Sequence, residues 1–244
     1  MFEDFRHAAR ALARTPGFSA VAIATLALAI GANTAVFSLV DTAILRPLAY
    51  RDAQRLYDVH EVVPKFAHIA PLLPVNALHF DEWRKSAHSF EQMALIGEDV
   101  ANLTGVGAPQ RVNRARVTPA LFRLLGVEAQ IGRTLADEED APGRDGVLVL
   151  SHEFWQNRLG GDPGVVGRTL KLNDRPYRVV GVLPASFHFP KLSALFAMNI
   201  ADERPDVWRP FALADNEKDD MGDFNFVCIA KLRPGATAAQ AQAS

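Results

Sequence analysis

FSAVAIATLALAIGANTAVFSLV, residues 18–40, carries no charged side chain. As a helix rising about 1.5 Å per residue it reaches about 34 Å, enough to cross a hydrocarbon core of about 30 Å. Pro16-Gly17 interrupts helix on one side. Arg46-Pro47 stops it on the other, because a residue before proline is pushed out of the α region. These boundaries predict one transmembrane helix over residues 18–45, flanked by residues 1–17 and by a domain over residues 46–244. A signal peptide is the alternative: Arg6, Arg10 and Arg14 form a basic lead, and Ala27-Leu28-Ala29 is a small-x-small cleavage site. Cutting there would leave an apolar new N-terminus, and the run exceeds the roughly 7 to 15 residues of a signal core, which favours the uncleaved span. A helix apolar on every side within a soluble core would need a large protein around it.

Inside the run, helical spacing sets Ala27, Gly31, Ala35 and Ser38 along one side with Thr34 beside Gly31. Such a seam of small and hydroxylated residues lets membrane helices approach closely and exchange hydrogen bonds, and no partner helix is encoded in this chain. The bland reading is compositional, since these residues are common in any membrane helix. Arg6, Arg10 and Arg14 before the run are matched by Arg46, Arg51 and Arg55 after it, so positive charge alone does not orient the span. Phe2, Phe5, Ala9 and Leu12 form an apolar stripe on an N-terminal helix, expected either at the membrane interface or docked on protein.

The composition, 49% hydrophobic and 22% charged with a net charge of −2, is that of a globular chain and gives no basic footprint for nucleic acid. The single cysteine, Cys228, cannot form an internal disulfide and is expected to pack as a small apolar side chain.

Beyond residue 46 the pattern is mixed α/β. Strands are expected at 56–63, 93–103, 111–117, 146–150 and 224–232. In RTLKLNDRPYRVVGVL (168–183) two β-rich runs flank Asn173-Asp174, a hairpin signal. Asn76 and Ser151 are expected to cap helices. Thr118 as cap, Pro119 at the first helical position and Gly126 after the last turn punctuate another. Thr237 would cap a final helix that has only two turns to run before residue 244.

Chemistry is sparse. No phosphate loop, paired-histidine zinc helix or serine elbow occurs, so neither nucleotide nor metal cofactor is expected on this chain, and no catalytic residue is assigned. His152 reads as a helix-start residue and Asp137–Asp140 as a solvated loop. Trp83, Trp155 and Trp208 read as core residues in preference to a ligand groove.

Several segments nevertheless carry a family resemblance. Residues 5–50 resemble the N-terminus of MacB-like ABC transporter permeases, in the branch with FtsX-like membrane segments. HFDEWRKSAHSFEQMAL (79–95), ARVTPALFRLLGVEAQIGRTLADEED (115–140), residues 149–190 and AKLRPGATAAQAQ (230–242) resemble that family's periplasmic core domain, in family order. The resemblance implies a cytoplasmic amphipathic helix at 1–17 and one inner-membrane span. It then implies an extracytoplasmic α+β domain of porter-like βαβ units with a smaller inserted α/β subdomain. It further implies an efflux or mechanotransmission role, other permease helices in a dimeric assembly, and a partner ABC ATPase that binds the ATP. Substrates across the wider family include macrolides, peptides and lipoproteins. The chain is expected to be the N-terminal part of such a permease, lacking its later spans. The competing expectation is a secreted binding or hydrolase domain.

Overall fold

The structure, a computed structural model, describes residues 17, 21, 24–28, 30–31, 50, 52–65, 68–105, 107–189, 204–214, 217 and 222–242. It divides into two units, Met1–Ala49 and Tyr50–Ser244. In the first unit the described residues are helical and exposed. Among the described residues no helix is long and apolar enough to cross a membrane. Most of the run predicted to span, and residues 1–16 before it, lie outside the described residues.

The second unit is built on β1 (Leu56–Val59), β2 (Val75–Asn76), α1 (Ala77–Ser86), β3 (Phe90–Thr104), β4 (Gln110–Val117), α2 (Ala120–Leu125) and β5 (Ile131–Gly132). It continues with β6 (Val147–Leu150), α3 (His152–Arg158), β7 (Thr169–Leu172), β8 (Arg175–Val182), β9 (Val207–Pro210), β10 (Phe224–Leu232) and α4 (Ala238–Gln242). β1 and β3 both pair antiparallel with β10, so they run parallel to one another with α1 in their connection, a split βαβ unit. Successive strand residues point to opposite faces. Met93 and Leu95 of β3, with Phe226, Cys228 and Ala230 of β10, therefore join Phe80 of α1 in one core. Ala94 and Ile96, with Val227 and Ile229, join Leu121 and Leu124 of α2 in another. A sheet buried on both faces is what the unbroken apolar runs MALI and FVCIA require.

The outer half of β3 leaves this sheet and enters a ring. β3 pairs with β4, β4 with β9, β9 with β6, β6 with β8, β8 with β7, and β7 returns to β3. The ring is closed, and Leu103, Val112, Leu148, Leu150, Leu172, Val179 and Val207 fill it together with Phe154 of α3. The inserted part foreseen as a small α/β subdomain is thus mainly a six-stranded barrel.

Two local devices make the ring possible. Asn173 and Asp174 both take left-handed conformations (φ 49° and 62°), which gives the β7–β8 hairpin the twist a two-residue turn needs. In β8 the register slips between Val179 and Gly181, and at Gly181 any Cβ would overlap the carbonyl oxygen of Arg133. Only glycine permits that crossing.

Asn76 and Ser151 cap α1 and α3 as expected, accepting from the Leu78 and Phe154 amides at 2.8 and 3.1 Å. Gly126 closes α2 in the left-handed region, and the Val127 amide reaches back to the Phe122 carbonyl at 2.8 Å. Thr118 corrects the expectation: its hydroxyl accepts from the buried Leu95 amide at 3.0 Å and does not cap α2. The β3–β4 ladder ends at Ile96↔Val117, so that amide would otherwise go unpaired, and an unsatisfied buried donor is costly.

Candidate functional site

β4 and β9 lie side by side in parallel, with Arg116 opposite Arg209 and Ala115 opposite Trp208. Alternation sends Ala115, Val117 and Trp208 into the α2 core, so Arg114, Arg116 and Arg209 share the other face, where the barrel meets the two-sided sheet. Arg114 grips Asp99 of β3 with two hydrogen bonds of 2.5 Å and donates to the Tyr177 hydroxyl of β8 at 3.3 Å. Arg116 grips Glu217 at 2.6 and 2.9 Å, donates to the Phe211 carbonyl at 3.0 and 3.2 Å, and lies 4.4 Å from the Phe211 ring centroid. Arg175 donates to Asp145 at 2.7 Å and stacks on Tyr177. Arg209 reaches the other Asp145 oxygen only at 3.4 Å and the Pro210 carbonyl at 3.3 Å, and its buried Nε meets no acceptor.

The electrostatics follow the contacts. At Asp145 burial works to raise the pKa, but Arg175 and Arg209 outweigh it and hold the carboxyl below its ordinary value. Glu217 is lowered chiefly by its hydrogen bonds from Arg116. Burial works against the charge on Arg114, yet Asp99 and Tyr177 hold its pKa above the usual value. Arg209 goes the other way, lowered to about 10 by burial first and then by Arg116 and Arg114. With Asp145 and Glu217 held ionised against their arginines, the junction is a clamp joining β3, β4, β8, β9 and the 145 loop.

A second feature is an apolar groove of about 550 Å³ bounded by Tyr57 and Val59 of β1, Trp83 of α1, Met93 of β3, and Ala238 and Ala241 of α4. On its rim His60 Nε2 lies 2.9 Å from Asp58 Oδ2. Thr237 begins α4 as expected: its hydroxyl accepts from the Gln240 amide at 3.3 Å, while Gln240 Oε1 accepts from the Thr237 amide at 2.9 Å.

Of the predicted seam, Ala27 and Gly31 are helical and exposed, and a Cβ added at Gly31 would meet nothing within 4 Å. Thr34, Ala35 and Ser38 lie outside the described residues. His152 starts α3, with Nδ1 at 2.8 Å from the Gln130 amide nitrogen. Trp208 and Trp155 are buried in the core and Trp83 packs partly buried beside it. The acidic run 137–140 departs from the solvated loop expected. Glu139 accepts from Arg133 and from the Ala136 amide, and Asp140 accepts from the Ala212 amide at 2.7 Å. Two of its carboxylates thus hold backbone together while Asp137 stays outside. Among the described residues no group of three His, Cys, Asp or Glu could hold a metal.

Sequence reasoning missed the junction because its members come from five separate segments. The available signal was RVNRARV (111–117), where Arg114 and Arg116 alternate with Ala115 and Val117.

Comparison with known proteins fits this architecture. A family model described as the MacB-like periplasmic core domain matches residues 19–244. The periplasmic region of MacB from Actinobacillus actinomycetemcomitans superposes with a TM-score of 0.56 at 14% identity, over 78% of this chain and 79% of that one. The extracellular domain of the noncanonic ABC-type transporter YknZ from Gram-positive bacteria superposes with a TM-score of 0.52 at 12% identity, over 77% and 87%. Curated proteins yield no match. At these identities the two structures establish a shared fold, and the family model, covering most of the sequence, establishes kinship: the chain belongs to the MacB-like periplasmic core domain family.

Proposed function

We propose that the chain is a permease subunit, or the N-terminal part of one, in an ABC-type export or mechanotransmission system of the inner membrane. In this reading residues 1–17 lie at the cytoplasmic face, 18–45 span the membrane, and 46–244 work outside it. The observation that carries the reading is the family match over 19–244, which takes in both the apolar run and the whole α/β unit. Domains of this family are non-catalytic components of transporters. ATP would be bound by a partner ATPase, and the stroke would reach the outer domain through membrane helices packed in a dimeric assembly. The arginine clamp supports such a role, because a rigid joint passes displacement from the two-sided sheet to the barrel without dissipating it in side-chain rearrangement.

Alkaline carbonate extraction of membranes tests the anchor: the full-length chain should stay in the pellet. Release into the soluble fraction, with a mature N-terminus beginning near Ile30 by mass spectrometry, would replace this reading with the secreted domain. Co-purification of a nucleotide-binding protein with the membrane-embedded chain tests the coupling. Replacing Gly31 with Leu should weaken helix association while leaving insertion intact, since Leu is apolar but blocks close approach.

A further inference from the structure

We propose that Glu98 of β3 and Trp208 of β9 form a proton-controlled contact across Ala115 of β4, closed when the carboxyl is ionised and open when it is protonated. The registers set the three residues in one row: Glu98 pairs with Ala115, and Ala115 with Trp208. Paired residues share a face of the sheet, so all three project to the α2 side, away from the arginine clamp. Ala115 is fully buried and puts only a methyl group between its two long neighbours. Two strand spacings of about 4.8 Å separate those neighbours, a gap that a glutamate and an indole leaning toward each other can close.

Each of the two carries a buried polar atom without a partner, and the atoms are complementary: Glu98 Oε2 accepts, and Trp208 Nε1 can only donate. Trp208 is 1% exposed, with its ring packed among Phe122, Phe187 and Phe189. Other ionisable groups nearby are engaged elsewhere. Asp206 accepts from the Asn113 amide at 2.9 Å, His188 meets the Ser186 carbonyl at 2.9 Å, and Arg123 donates to Asp137 at 2.9 Å. Asp99, the next residue on β3, turns to Arg114 on the opposite face. Burial first, and then the Asp99 charge, raise the Glu98 carboxyl to about 7. A carboxylate is a stronger acceptor than the protonated acid, which makes the indole bond a property of the charged form. The bond offsets part of the cost of ionising there, and it ties β3 to β9 over β4 on the face opposite the clamp. In a domain outside the cytoplasm the joint between sheet and barrel would then respond to external pH; that use rests on the reading above, whereas the contact itself does not.

The indole N–H resonances of the ¹⁵N-labelled full chain in detergent, followed from about pH 5 to about pH 9, test the proposal. Trp83→Phe and Trp155→Phe assign two of the three tryptophans and leave Trp208. The Trp208 resonance should move downfield as the pH rises, with its midpoint at about 7, and should stay fixed in Glu98→Gln. Any movement at Trp83, beside His79, or at Trp155, beside His152, should survive in that variant. The side-chain carboxyl carbon of Glu98 in the unaltered chain gives a readout that needs no variant: it should titrate together with the Trp208 indole. A Trp208 resonance that does not move, one that moves equally in Glu98→Gln, or a Glu98 carboxyl that titrates at a different pH overturns the proposal.

Discussion

Asn173 treats Asn102 as a strand partner although it lies in a turn: its amide donates to the Asn102 carbonyl at 2.9 Å, and its side-chain oxygen accepts from the Asn102 amide at 2.8 Å. Beyond it, β3 and β7 pair at only Leu103↔Leu172 and Thr104↔Lys171, whereas β3 and β4 pair continuously from Ile96 to Leu103. The turn residue therefore adds a third paired position to the two that close the barrel.

Replacing Asn173 with Gly keeps the left-handed turn but removes the acceptor for Asn102. Stability should fall by about 1 kcal/mol, the net value of such a bond. Hydrogen exchange at the Asn102 amide should accelerate more than exchange at Val112, on the far side of β3. Equal acceleration at both would show that the seam has no local role.

Gly181 carries the bulge of β8 against the Arg133 backbone, so Gly181→Ala must push β5 and β8 apart. A loss of about 1 to 3 kcal/mol in denaturant unfolding is expected, the range for overpacking a filled site. Gly146→Ala is the control: an added Cβ there meets nothing within 4 Å, and its stability should be nearly unchanged.

Much of this fold was legible because it rests on local patterns. The β7–β8 hairpin follows from Asn-Asp between β-branched runs, β10 was bounded correctly at Phe224 and Leu232, and Asn76, Ser151 and Thr237 cap where expected. What escaped depends on partners distant in sequence. β9, VWRP, is four residues long and ends in proline, and it reads as a strand only once β4 and β6 flank it. Ring closure escaped for the same reason, since Asn102 and Asn173 carry no mark of their pairing. The junction needed β4 and β9 in register before Arg116 and Arg209 could be seen to face each other.

Thr118 offers a test of side chain against backbone. Thr118→Val keeps the shape but strips the acceptor from the buried Leu95 amide, so about 1 to 3 kcal/mol should be lost. Thr118→Ser should recover most of it. If Val and Ser behave alike, the hydroxyl is not what holds β3 at that point.

Glu98 gives the domain a pH dependence of determinate sign. Burial, and then the neighbouring Asp99 charge, raise its carboxyl from 4.5 to about 7. One of its oxygens is buried without a hydrogen-bond partner. A carboxyl whose pKa is higher in the folded state than in the unfolded one binds more protons when folded. Its contribution is thus greatest below about pH 4.5 and declines as the pH rises to about 7, where the folded carboxyl must ionise in a desolvated site. Because Glu98 is only half-buried, solvent screening reduces the effect well below what full burial would give. Glu98→Gln removes the titration while keeping the shape. Urea unfolding of the two proteins from pH 4.5 to pH 8 should show the glutamine variant gaining stability relative to the parent as the pH rises. Parallel curves would mean that Glu98 ionises freely and that its neighbourhood is wetter than its packing indicates.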